Sequence, residues 1–592
     1  MYERIIPRPK RHEEKDGLCE LSSLRECVCS GLGEESVELL RQDFGGLSFV
    51  KGEVGSCRAV FGRRGGEAKA CPALKPQGYR LTVEPGFVEI QAGGPAGLWH
   101  GFQTLIQLKE QDSGRIPAGV VEDEPAVERR GVHWDLKGYQ PKFETLLEEF
   151  RRLAQYKVNL VLLELEDKYD YQCAPEVGVP GAYTAEQLRV LSRHAAALGI
   201  TVVPKLQCLG HADYLLKHPR YRHLREAGHP YQYCPRSDEA FALWKAMAGE
   251  LMELFAEHRG FFHVGADETD KLGVCPECAK HSKADSYVFH VERCLDFVVG
   301  QGRVPIMWDD ILRDAHGVLG TEGAERARSL AAKAILNYWS YGYGGVNNNF
   351  GFLPVYLGRG ARVWGASGFS GCDNWAGSLP PLELRAKNID AWTKSAIESK
   401  LEAVVATGWT RIASGTPPTE PLETSWFTIL YAAESMWSGR PYDYGEFVDA
   451  LSWRLYGRLL PGPLRGAVMN IERNHFAPQA LDPRLNSAPA LAALQHAAAA
   501  ESFAHSLNGL VACRRMFQGQ LGEVMPDYLI TVRRNMLKRF RDDLAAVEAG
   551  CRKWLAVFYE AGTVDEFVRS RFDYCHEYAD DLARLLDQTK EQ

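Results

Sequence analysis

Between residues 123 and 440 the chain repeats one pattern, a short apolar run followed by a longer amphipathic stretch. Eight runs rich in β-branched and aromatic residues occur in order. They are 131–135, 158–163, 200–204, 261–265, 304–308, 334–338, 361–364 and 403–407. Such runs read as strands buried on both faces, and the stretches between them, such as 143–156 and 185–198, carry helical periodicity with charged outer faces. Eight strand–helix repeats predict a (β/α)8 barrel, a TIM barrel, in place of an open sheet.

The flanks read differently. Residues 1–122 predict a small α/β domain, with strands at 79–83 and 88–92 around the turn Glu84-Pro85-Gly86. A helix follows Gly93-Gly94-Pro95, with Leu98, Phe102, Leu105 and Leu108 on one face. From 441 to 592 the pattern is helical. Leu537, Phe540, Leu544 and Val547 keep a three-four spacing, and 492–517 is an Ala-rich amphipathic stretch. An accessory helical bundle is expected, its apolar seams internal, with a homodimer through them as the alternative.

Bulk properties narrow the function. A chain of 592 residues exceeds one ordinary core, which fits three domains. The net charge of −8 argues against a nucleic-acid partner, which would require phosphate neutralisation. No run of about 18 apolar residues occurs, so no membrane insertion is expected. The first ten residues, Met1 to Lys10, contain no apolar signal-like core, and the fifteen cysteines are scattered. Reduced thiols and a cytoplasmic location are the expectation.

Acidic and aromatic residues gather at the ends of the runs: Asp135, Glu164, Asp267, Glu268, Trp308, Asp309, Trp339, Trp364 and Trp409. In a TIM barrel the C-terminal strand ends carry the active site. Tryptophans there either wall a ligand site or pack between barrel and helices. Asp267 and Glu268 stand side by side after the fourth run, inside His263-Val-Gly-Ala-Asp-Glu268. Two carboxylates so close repel, which would raise the pKa of one and suit it to general acid catalysis.

These residues resemble family 20 of the glycoside hydrolases, the β-N-acetylhexosaminidases, and within it the hexosaminidase D branch. Supporting segments are Ile5-Ile-Pro-Arg-Pro-Lys10, Gly97 to Leu108, Arg130-Gly-Val-His-Trp-Asp135, Gly210-His211, Trp364 to Gly371 and Thr407-Gly-Trp-Thr-Arg411. The resemblance covers roughly 440 residues. It implies a retaining, substrate-assisted removal of a terminal β-linked N-acetylhexosamine, GalNAc or GlcNAc, through an oxazoline or oxazolinium intermediate and without a cofactor. Glu268 would be acid and then base, and Asp267 would orient the 2-acetamido group. Arg130 would bind the 3- and 4-hydroxyls, and His211 would support the acidic pair. Trp409 would floor the sugar, Trp308, Trp339 and Trp364 would wall the acetamido pocket, and Glu420 would accept the 4- or 6-hydroxyl. Tyr341, with Tyr338 as competitor, would donate to the acetamido oxygen. The chain departs from the family at Glu164-Leu-Glu166-Asp167, which leaves open the acid that supports His211.

Three alternatives remain at this level. Cys275-Pro-Glu-Cys278 with His281 has zinc-like spacing, but three ligands favour structural thiols, so no metal is expected. Asp309-Asp310 is a second acid pair of the kind found in O-GlcNAc-removing hydrolases. A sugar-binding barrel without catalysis is the non-enzyme reading.

Overall fold

The computed structural model describes residues 1–52, 57–62, 74–342, 350–372, 382–411, 413–414, 419, 422–456, 459 and 527–588. Seven strands form an N-terminal sheet: β1 (Arg11–Glu20), β2 (Glu26–Ser30), β3 (Ser48–Lys51), β4 (Arg58–Gly62), β5 (Tyr79–Glu84), β6 (Phe87–Ala92) and β7 (Arg115–Asp123). Their spatial order is β1-β7-β5-β6-β4-β2-β3. The helix Pro95–Gln111 packs on this sheet and buries Leu98, Phe102, Leu105 and Leu108. Proline at its first turn sits where an amide hydrogen has no helical partner to lose.

The next eight strands close into a parallel barrel. They are β8 (Arg129–Asp135), β9 (Leu160–Glu164), β10 (Thr201–Lys205), β11 (Phe261–His263), β12 (Val304–Trp308), β13 (Ile335–Trp339), β14 (Val363–Ser370) and β15 (Ala403–Gly408). The barrel closes where β15 pairs with β8, Ala403 opposite Arg129 and Thr407 opposite His133. Leu160, Leu162, Val203, Ile306, Ile335 and Val405 fill its interior. Alternate residues face the surrounding helices, which is why β9 is buried along its whole length. The predicted fold class is the observed one.

Two long helices, Asp527–Phe558 and Ala561–Asp587, form a C-terminal hairpin. Leu537, Phe540, Leu544 and Val547 are buried in its seam with Phe572, Ala579 and Leu582. The hairpin docks on the barrel mouth: Lys142 N–H donates to Phe558 O at 2.8 Å, and Arg411 pairs with Glu566 at 3.7 Å. The Ala-rich stretch 492–517 lies outside the described residues. Among the described residues, no helix is long and apolar enough to cross a membrane.

Candidate active site

The backbone beyond β11 brings two adjacent carboxylates into one place. Neighbours on a strand point to opposite faces. Here the strand ends at His263, and Gly265, Ala266 and Glu268 take φ values of +71°, +72° and +48°. Left-handed backbone is costly for alanine and glutamate, and such strain concentrates at functional sites. His263 Nδ1 accepts the Gly265 N–H at 3.0 Å and helps hold the turn.

His211 bridges the pair. Its Nε2 lies 3.4 Å from Asp267 Oδ2 and 3.2 Å from Glu268 Oε2. Gln207 donates from Nε2 to Asp267 Oδ1 at 3.0 Å, and the Tyr231 hydroxyl stands 2.9 Å from His211 Nε2. The Glu268 N–H donates to Asp310 Oδ2 at 2.9 Å, and His316 faces that same oxygen at 3.2 Å. Asp267 is buried, whereas the Glu268 side chain is 45% exposed. Glu268 opens on a cleft of about 450 Å³ that His229, Tyr231, Asp270, Lys271 and His316 also line.

The electrostatics differ from simple repulsion between acids. Burial alone would raise the Asp267 pKa, but His211 and then Lys205 outweigh it and hold the carboxyl below its usual range. Burial alone would lower the His211 pKa, but Asp267 and Glu268 push it up to about 10. An imidazolium between the two groups thus relieves the expected repulsion, and Asp267 is not the raised acid.

Aromatic rings lie beside the acids. Trp409, half-buried, meets His133 edge-on at 4.8 Å and Trp308 at 5.7 Å, and its indole N–H donates to the Tyr341 hydroxyl at 3.0 Å. Trp339 stacks on Tyr341 at 5.3 Å. Under Trp409 lies a buried charge cluster. Glu164 pairs with Lys205 at 2.6 Å, with His133 at 2.9 Å and with Lys137 at 3.8 Å. Lys137 and Lys205 sit 4.7 and 5.1 Å from the Trp409 ring centroid. Cations against an aromatic face favour one ring orientation.

Several expected residues sit elsewhere. Arg130 is at the N-terminal end of β8, fully buried. Its guanidinium donates to the carbonyls of Lys157, Val127 and Glu128 and to Gln77 Oε1, at 2.9–3.0 Å. Five residue steps along the strand separate it from Asp135, roughly 16 Å. It therefore does not reach the cleft. Trp364 is the second residue of β14 and packs against Phe261 at the start of β11, so it fills the barrel's lower interior and walls nothing at the mouth. Trp308 is fully buried behind Trp409. Tyr338 packs outward on Trp392 and Tyr356, which leaves Tyr341 beside the aromatic floor. Glu164 serves the lysines, and Asp167 binds Lys168, Lys217 and Arg411. Glu166 is buried, which raises its pKa to about 8. None of the three meets His211 Nδ1, which is buried without a hydrogen-bond partner among the described residues. Glu420 lies outside the described residues. His281 is exposed, and Cys275 and Cys278 are joined instead by Cys234 and Glu226. Gln207, Tyr231 and His316 escaped the sequence reading, because single polar residues on long loops carry no periodic signal.

The profile "Glycosyl hydrolase family 20, domain 2" matches residues 2–124, and "Glycosyl hydrolase family 20, catalytic domain" matches 155–349. Hexosaminidase D from Bos taurus is 30% identical over 297 residues, covering 48% of this chain and 84% of that protein. The chain belongs to glycosyl hydrolase family 20. It is a glycoside hydrolase of the β-N-acetylhexosaminidase class. Homo sapiens hexosaminidase D is 28% identical over 300 residues, covering 48% of this chain and 60% of that one. A mutant Streptomyces plicatus β-hexosaminidase, solved with the product GlcNAc, shares the family fold at TM-score 0.56 and 17% identity, covering 76% of this chain and 94% of that one.

Proposed function

We propose that the chain removes a terminal β-linked N-acetylhexosamine by substrate-assisted catalysis, with retention of configuration. The observation that carries this reading is the pair Asp267–Glu268 bridged by His211, one acid buried and held ionised, the other open to the cleft. Glu268 protonates the glycosidic oxygen as the bond to the aglycone breaks. The substrate's acetamido oxygen attacks the anomeric carbon, and its nitrogen gains positive charge. Asp267 stabilises that charge more in the transition state than in the ground state, which is what lowers a barrier. Glu268, now a carboxylate, takes a proton from water as the water opens the five-membered ring. Trp409 supplies the floor and Tyr341 the donor to the acetamido oxygen. GlcNAc in a family structure supports the N-acetylhexosamine class for this chain too.

The test uses nitrophenyl β-N-acetylgalactosaminide and β-N-acetylglucosaminide beside their 2-hydroxyl counterparts. Turnover of one or both N-acetyl substrates, steep loss with N-trifluoroacetyl analogues and negligible reaction of the 2-hydroxyl hexosides are expected. An N-acetylhexosamine thiazoline should inhibit competitively and lose most of its affinity in Asp267→Ala. A 2-fluoro sugar trapped as an ester on any Asp or Glu, or no turnover at all, overturns the reading.

A further inference from the structure

Behind the acid pair, two loops meet at a group of soft ligands. The loop after β10 carries His211, Glu226, Tyr231 and Cys234, and the loop after β11 carries Glu268, Cys275 and Cys278. Cys234 Sγ lies 3.6 Å from Cys275 Sγ and 3.5 Å from Cys278 Sγ. These three sulfurs and one Glu226 oxygen all lie within 4.8 Å of one another. Sulfurs bound to one tetrahedral zinc, with bonds of about 2.3 Å, stand roughly 3.8 Å apart. The observed spacing is close to that, and none of the three cysteines is in a disulfide.

Glu226 adds an independent observation. Its side chain is fully buried, and Oε1 accepts the N–H groups of Val274 and Cys275 at 2.7 and 2.9 Å. Among the described residues no N–H or O–H donor meets the buried Oε2, which shares the cluster with the cysteine sulfurs, an arrangement that costs free energy unless a cation or donor meets it. The Cys278 N–H points at Cys275 Sγ, 3.4 Å away, and N–H donors of this kind support thiolate ligands.

We propose that Cys234, Cys275, Cys278 and Glu226 bind one structural zinc ion that fastens the two catalytic loops together. Three thiolates and a carboxylate make a closed four-ligand set, which suits a structural role and leaves no open position for a reactant. Loading releases the protons of any thiols still protonated. The ion also bears on the active site. Glu226 N–H donates to Gln232 O at 3.0 Å, and Gln232 Oε1 accepts the Lys271 N–H at 3.1 Å. The adjacent Tyr231 touches both His211 and the Glu268 carbonyl. Fixing the cysteines therefore fixes one wall of the cleft.

The experiment measures zinc in the full chain, expressed with zinc and purified under reducing conditions. About one zinc per chain is expected, falling about tenfold or more in Cys234→Ser and Cys278→Ser. Cys294→Ser changes a separate buried cluster, Cys208–His290–Cys294, and should leave the zinc in place. X-ray absorption on the zinc-loaded wild type should show three sulfurs at about 2.3 Å and one oxygen at about 2.0–2.2 Å, a readout that survives if the serine variants fail to fold. A wild type that holds no zinc after reloading overturns the proposal. So does zinc retained in Cys278→Ser, or a shell without sulfur.

Discussion

Asp310 holds the backbone of Glu268: its Oδ2 accepts the Glu268 N–H at 2.9 Å. In the sequence the aspartate reads as half of a rival acid pair, and the structure makes it a support for Glu268. A left-handed residue such as Glu268, φ +48°, keeps its conformation only when its surroundings impose it. Asp310→Ala should lower kcat about tenfold to a hundredfold, because small misplacement of an acid is costly. Asp310→Asn keeps an acceptor and should lose less. If the alanine variant turns over within about twofold of wild type, Asp310 does not position Glu268.

Glu268→Gln should reduce turnover by about 10²–10⁴-fold on substrates with poor leaving groups, the usual worth of a positioned general acid. Activated nitrophenyl leaving groups need less protonation and should lose less. Equal losses across a leaving-group series would remove Glu268 from the acid role.

His211 links the site to pH. Its folded pKa, about 10, lies above the ordinary 6.5, so its pairing energy is present in full below pH 6.5 and lost as pH rises towards 10. Asp267 is held below its ordinary 3.8, so its share is present above that value and lost as pH falls. The stability difference between wild type and His211→Gln in urea unfolding should therefore peak between about pH 4 and 6.5 and shrink on the alkaline side. A difference that stays flat to pH 10 would show that no imidazolium is present.

Arg130 should behave as a structural residue. Removing its guanidinium leaves the buried carbonyls of Lys157 and Val127 short of a donor, each at a cost of about 1–3 kcal/mol. Arg130→Met should lower the melting temperature markedly while leaving KM near wild type in whatever protein folds. A large rise in KM at unchanged stability would return Arg130 to the sugar.

Gly265 marks the tightest point of the acid turn. A Cβ there would sit 1.7 Å from Gln207 Oε1, at φ +71°. Gly265→Ala should push Gln207 off Asp267 and weaken both stability and thiazoline binding. Thiazoline affinity equal to wild type would show that Gln207 does not hold Asp267.

The barrel was legible because strands covered on both faces read as continuous apolar runs, and all eight were found, seven of them with both ends within two residues. The error at Trp364 has a physical source. Gly365-Ala-Ser-Gly-Phe-Ser370 has Phe369 as its one bulky residue, too little to announce a strand, yet β14 runs through it. Glycine is needed there because a Cβ at Gly365 would sit 2.5 Å from the Trp392 ring. The tryptophan that looked terminal is therefore near the strand's beginning. Asp267 and Glu268 were legible as an adjacent pair after a strand. The partners that tune them come from the loops after β10 and β12, and only tertiary structure sets those distances. Cys234 joins Cys275 and Cys278 across 41 and 44 residues, a spacing no local motif reveals.

The C-terminal hairpin has a consequence for how this enzyme can be cut and recombined. Thr419 O accepts from the Tyr139 hydroxyl and from Arg571 Nη2, and Thr419 Oγ1 donates to Trp409 O at 2.7 Å. The helix that carries Arg571 thus reaches the aromatic floor through a single residue. The tail and the first and last barrel loops form one inheritable block. A chimera that takes its hairpin from a relative must take Tyr139, Trp409 and Thr419 from the same parent, or it joins two surfaces that were never matched.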